Sequence, residues 1–159
     1  MLDDRGRSKF DDDAFRSFND DTVLSLGWDR RRAWIGGGDR PAPWDPYGYR
    51  EGDQVRAHVI VSHYGSGVGP AEVRWQLIGQ DGRVHAAGGE TSTTGYRPGT
   101  VREAAIARFQ APTAGTPEQM TLALTARIAG REVRNAWPLW MFPRRTLDTA
   151  PPVAPPDPA

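Results

Sequence analysis

The stretch QMTLALTARI (119–128) alternates without a break. Met120, Leu122, Leu124, Ala126 and Ile128 fall on one side, and Thr121, Ala123, Thr125 and Arg127 on the other. A period of two residues marks a strand with one face in a core and the other in water. In QVRAHVIVSHY (54–64), Val55, Ala57, Val59 and Val61 alternate in the same way with Arg56, His58, Ile60 and Ser62. In VRWQLI (73–78), Val73, Trp75 and Leu77 share a face, which assigns Trp75 to the core. Asp81-Gly82 signals a hairpin into RVHAAGG, and Ala129-Gly130 turns the chain into REVRNAWPLWMF. A further strand is expected over Thr100–Phe109. Five or six strands starting at Gln54, with Gly/Pro turns and no amphipathic helix among them, predict an all-β, immunoglobulin-like antiparallel β-sandwich.

Three segments organise the chain. Residues 1–24 read as an N-terminal segment in which Asp11–Asp13 cap a short helix and complement its dipole. Phe15 and Phe18 share one face of that helix, which is too short to stand alone and needs a surface to dock on. Residues 25–143 form the sandwich domain. Its first part (25–53) is a long aromatic loop holding Trp28, Trp34, Trp44, Tyr47 and Tyr49. Residues 144–159 are a Pro-rich tail expected to be mobile.

Twenty acidic and twenty basic residues balance, so no overall field draws the chain to nucleic acid or to a membrane. Nineteen of the basic residues are Arg, spread along the chain rather than gathered on one patch. The absence of cysteine excludes a disulfide scaffold, a thiolate metal site and a Cys nucleophile. The first residues carry no apolar run of the kind that directs secretion, which points to the cytoplasm.

Sites for chemistry are scarce. His58 and His63 are five apart in one strand and so face opposite ways, while His85 on a neighbouring strand could approach either. All three read as polar residues on solvated faces, and no metal or cofactor is expected. The early aspartates lack the alternation and closing Glu of a calcium loop. Gly65–Gly69 has neither the Lys nor the following helix of a phosphate cradle. Among Glu72, Glu90, Glu103, Glu118 and Glu132 nothing singles out a catalytic pair, so no catalytic residue is assigned. The aromatic residues carry more information. Trp137 and Trp140 are three apart, so one should be buried and the other should cover an edge, a loop or a ligand, and Pro138 between them argues for an edge strand or a bulge. Trp34, Trp44, Tyr47 and Trp140 are the candidates for a sugar-stacking surface, against the alternative that they only staple down their own loop.

Three stretches in order resemble a known arrangement. DDRGRSKFDDDAFRSFNDDTVLSL resembles the short helix that follows the catalytic barrel in glycoside hydrolases of the family 2 type. YREGDQVRAHVIVSHYGSG and AEVRWQLIGQDGRVHAAG resemble the first strands of the C-terminal immunoglobulin-like domain there, and RNAWPLWMFP its last strand. The resemblance implies an accessory domain that packs against a catalytic barrel and could contribute to carbohydrate binding, while the catalytic carboxylates lie on that barrel. Two other functions fit the same strands: a free-standing carbohydrate-binding module, and an interaction domain that dimerises by a strand edge.

Overall fold

A computed structural model describes residues 12–29 and 45–144. They form one helix, α1 (Asp12–Asn19), and eight strands. The strands are β1 (Thr22–Trp28), β2 (Gly48–Arg50), β3 (Gln54–His63), β4 (Gly69–Ile78), β5 (Val84–Tyr96), β6 (Thr100–Gln110), β7 (Glu118–Ile128) and β8 (Arg131–Phe142). They make a three-stranded sheet, β1-β3-β6, and a five-stranded sheet, β2-β8-β7-β4-β5. The chain is an all-β, immunoglobulin-like sandwich, as the alternation predicts.

The core lies where the inner rows of the two sheets meet. Val55, Ala57, Val59 and Val61 of β3 face Val73, Trp75 and Leu77 of β4 and Leu122, Leu124, Ala126 and Ile128 of β7, all buried. Trp75 lies in this core with its ring against Phe109, centroids 5.7 Å apart. The turns follow their chemistry. Ala129 (φ 48°) and Gly130 (φ 85°) are both left-handed, which a two-residue hairpin of matching twist requires. Gly82 (φ 80°) serves the turn between β4 and β5.

The structure departs from expectation in three places. First, two strands precede Gln54. TVLSLGW is β1, pairing antiparallel with β3 from Thr22↔His63 to Trp28↔Ala57 and running across the expected boundary between residues 24 and 25. Its alternation is real, with Thr22 and Leu24 buried and Ser25 exposed, but it is short. Second, the sandwich is not wholly antiparallel: β2 runs parallel to the end of β8. Third, His63 is not on a solvated face. It continues the inner row of β3, only 2% exposed, and lies against Thr22.

Pro138 fits β8 for a local reason. The Trp140 N–H donates to the Tyr47 carbonyl at 2.7 Å and the Glu51 N–H to the Phe142 carbonyl at 2.9 Å, so this side of β8 faces β2. Pro138 has the same parity but lies just before β2 begins. Among the described residues no strand faces Pro138 on that side, so its missing N–H costs no ladder bond there.

Side chains close both open corners of the sandwich. Between β5 and β6, Glu90 Oε1 accepts the Ile106 N–H at 3.1 Å, and the Arg102 guanidinium donates to the carbonyls of Thr94 and Gly95. Between β1 and β8, Asn135 Nδ2 donates to the Leu24 carbonyl at 3.0 Å, and Arg131 pairs with Asp20 and Asp21.

Candidate functional site

The aromatic residues gather at the end of the sandwich where β1 finishes and β2 meets β8. Trp28 packs edge-on against Tyr47 (5.7 Å, 81°) and tilted against Tyr49 (6.2 Å, 43°). The Tyr49 hydroxyl donates to the Pro46 carbonyl at 2.8 Å, and burial, with the charge of Asp45 beside it, pushes its ionisation well above the ordinary tyrosine range. A cleft of about 350 Å³ opens here, lined by Trp28, Tyr49 and Gly48 together with Asp29, Asp53, Gln54 and Arg56. Asp53 is already engaged, accepting the Arg50 N–H on one oxygen and pairing with Arg144 on the other.

Of the four candidates for a sugar-stacking surface, Tyr47 and Trp140 meet only through the backbone, where the Trp140 N–H donates to the Tyr47 carbonyl. Their rings lie apart: Tyr47 packs on Trp28, and Trp140 stands beside Phe142 on the outer face of β8. Trp137 and Trp140 do point to opposite faces: Trp137 packs against the core from β8, and Trp140 stands 42% exposed on the outer face. Phe142 stacks near-parallel to Trp140 (6.4 Å, 24°) and is 39% exposed, giving a flat aromatic pair that the sequence reading did not single out. Its parity with Trp140 on β8 is the signal that could have found it. Trp34 and Trp44 lie outside the described residues.

The outer face of the small sheet carries a cluster that the sequence reading also missed. His58 Nε2 lies 2.5 Å from Asp29 Oδ1, and its Nδ1 lies 2.5 Å from Glu103 Oε2. One imidazole thereby ties the end of β1 to β3 and β6. Arg56 adds a contact to Asp29 at 3.5 Å. Hydrogen bonds to Glu103 and then Asp29 raise the pKa of His58 above its ordinary value, against a smaller opposing effect of burial. The bond from His58 lowers that of Asp29. A raised imidazole pKa contributes stability that is fully present below the unfolded value of about 6.5 and is lost as pH rises through the folded value. The urea midpoint should therefore fall as pH rises above about 6.5, and His58→Gln should flatten that slope. A His58 ring titration by NMR centred at or below the ordinary value would count against the clamp.

His63 and His58 face opposite ways, as their spacing requires, so they share no site. Among the described residues no group of three or more His, Cys, Asp or Glu side chains could hold a metal ion. No helix of the described chain is long and apolar enough to cross a membrane.

Compared with known proteins, the chain matches no curated sequence. A protein family does match, from residue 53 to residue 143, which takes in the sandwich from the start of β3 to the end of β8 and more than half of the chain. On that match the chain belongs to the family described as "Domain of unknown function (DUF8488)".

Proposed function

We propose that this chain is a non-catalytic accessory β-sandwich that packs against the catalytic barrel of a glycoside hydrolase. The observation that carries the reading is the Phe15–Phe18 pair on α1. The two rings meet edge-on at 5.4 Å, yet Phe15 is 40% and Phe18 66% exposed. A short helix gains little from apolar side chains left in water, so rings presented together suit a surface that a partner covers. The ordered resemblance from the helix to the last strand supports the same partner.

A second reading, a carbohydrate-binding module, is favoured by the near-parallel, outward-facing Trp140 and Phe142, since flat aromatic faces suit the C–H faces of sugar rings. One experiment separates the two. The native chain, Phe18→Ser and Trp140→Ala are each tested for retention by a family 2-type barrel supplied in trans and by an insoluble β-linked polysaccharide. The first reading expects barrel binding that Phe18→Ser weakens at least about tenfold, a loss of about 1.4 kcal/mol, with unfolding unchanged. Polysaccharide retention lost in Trp140→Ala supports the second. If the native chain is retained by neither, both readings fail.

A further inference from the structure

Three successive rows across the outer face of the five-stranded sheet hold uncharged side chains, in a chain of which 25% of the residues are charged. In the first row Trp140 lies beside Gln119, and in the second Pro138 lies beside Thr121 and then Ile78. Ala136 leads the third, which crosses Ala123 of β7 and Gln76 of β4 to reach Ala87 of β5. These residues alternate with the buried Leu139, Leu122 and Leu77, so their side chains stand on the far side of the sheet from the core. Charges enter in the row beyond, and each is balanced within its own strand. Arg134 pairs with Glu132 at 2.8 Å and Arg74 with Glu72 at 2.6 Å.

A groove of about 600 Å³ opens in the part of this face nearest β5, among Arg74, Gln76, Ala87, Gly89, Ala123 and Thr125. Ligand pockets commonly hold about 300–1,000 Å³. The groove is open because β5 brings only Ala87 and Gly89 beside Gln76 and Arg74, and β7 adds the small Ala123 and Thr125 on the other side. Gln76, Thr125 and Arg74 supply amide, hydroxyl and guanidinium groups above a floor of small residues. From Trp140 the groove lies four residues along the strands and two strands across, about 15–20 Å. The side chains on the way, Pro138, Ala136 and Thr121, are short and exposed, so nothing bulky interrupts the path.

We propose that this face binds a linear, uncharged, β-linked polysaccharide, held by Trp140 and Phe142 at one end and by Gln76, Thr125 and Arg74 at the other. The proposal rests on the second reading above, in which the aromatic pair stacks on sugar rings, and adds to it a direction and a second subsite. Three observations select the occupant. Uncharged rows bounded by paired charges suit neutral hydroxyl groups, not phosphate or an acidic polymer. Flat aromatic faces suit sugar C–H groups, and the amide, hydroxyl and guanidinium of the groove suit sugar hydroxyls. The face is three strand spacings wide and six residues long, an area of about 300 Å². A stable protein interface takes about 800 Å² from each partner, so the face is too small to hold a second copy of the chain.

The test is calorimetric titration of the full chain with β-1,4-linked gluco-, manno- and xylo-oligosaccharides, from disaccharide to hexasaccharide. At least one series should bind, its hexasaccharide at least about tenfold more tightly than its disaccharide. Trp140→Ala should weaken both lengths. Gln76→Ala should weaken the hexasaccharide at least about tenfold and leave the disaccharide unchanged. Ala136→Arg sets a long cation in the path at an exposed position, and should remove the dependence on length without lowering the melting temperature. Arg108→Ala, on the other sheet, should bind as the native chain does. If Trp140→Ala loses binding that never grew with length, or if Gln76→Ala and Ala136→Arg both hold the hexasaccharide as tightly as native, the extended path is wrong and the aromatic pair stands alone. If no series binds, the path and the second reading fall together. A dimer in sedimentation that Ala136→Arg dissolves would make the face an interface between copies and overturn the proposal.

Discussion

Replacing Trp75 by Ala should lower the free energy of unfolding by about 3–5 kcal/mol, read as a drop in urea midpoint at constant slope. The indole sits mid-strand on β4, paired with Leu124 of β7 on one side and Gly88 of β5 on the other. It is buried against Phe109 of the opposite sheet, so truncation removes the contact that spans the sandwich as well as the ring's own burial. Gly88 is part of the same arrangement. A Cβ there would stand 2.7 Å from Trp75 Cζ2 and 2.8 Å from Cε2, so the ring lies over β5 because nothing projects from it. Gly88→Ala should therefore cost about 1–3 kcal/mol in the native chain through overpacking. In the Trp75→Ala background the same change should cost much less, and that coupling is what a double-mutant cycle measures. Equal costs in both backgrounds would mean the ring does not depend on the glycine.

His63→Leu should destabilise by about 1–3 kcal/mol although it keeps an apolar residue of similar bulk in the core. The ring makes two bonds: Nδ1 to Thr22 Oγ1 at 2.8 Å and Nε2 to the Gly67 carbonyl at 2.8 Å. A carbonyl can only accept, so the tautomer with its hydrogen on Nε2 satisfies both, with Thr22 donating to Nδ1. Leucine strands the carbonyl and the hydroxyl, and Thr22 is itself almost fully buried. Because Gly67 lies in the loop between β3 and β4, amide exchange in residues 64–68 should rise more than in β7. A stability equal to native would show that water replaces both bonds.

The parts of the fold legible in the sequence were those where one strand reports on itself. The row from Met120 to Ile128 and the turn at Ala129-Gly130 needed no knowledge of neighbours. β2 was hidden because it has three residues and pairs in parallel with a strand about ninety positions away. β1 was hidden by its company, an aromatic, glycine-rich stretch that reads as loop. His63 teaches something different. The parity that separated it from His58 also placed it in line with Val55, Val59 and Val61, and a preference for putting histidine in water overrode that geometry. The functional residues were harder still. The His58 clamp needs three strands in register, which no single-strand pattern announces.

The side chains at the two corners also govern how the molecule meets copies of itself. A strand edge with free N–H and C=O groups is a template for another chain, and sandwiches have such edges wherever two sheets fail to join. Here Glu90 occupies a donor of β6, Arg102 covers acceptors of β5, and Asn135 takes an acceptor of β1. These bonds therefore leave the edges of β5, β6 and β1 with fewer free backbone groups to offer a copy of the chain. An effect of that kind would be felt in how copies meet, which unfolding measurements on an isolated monomer do not register.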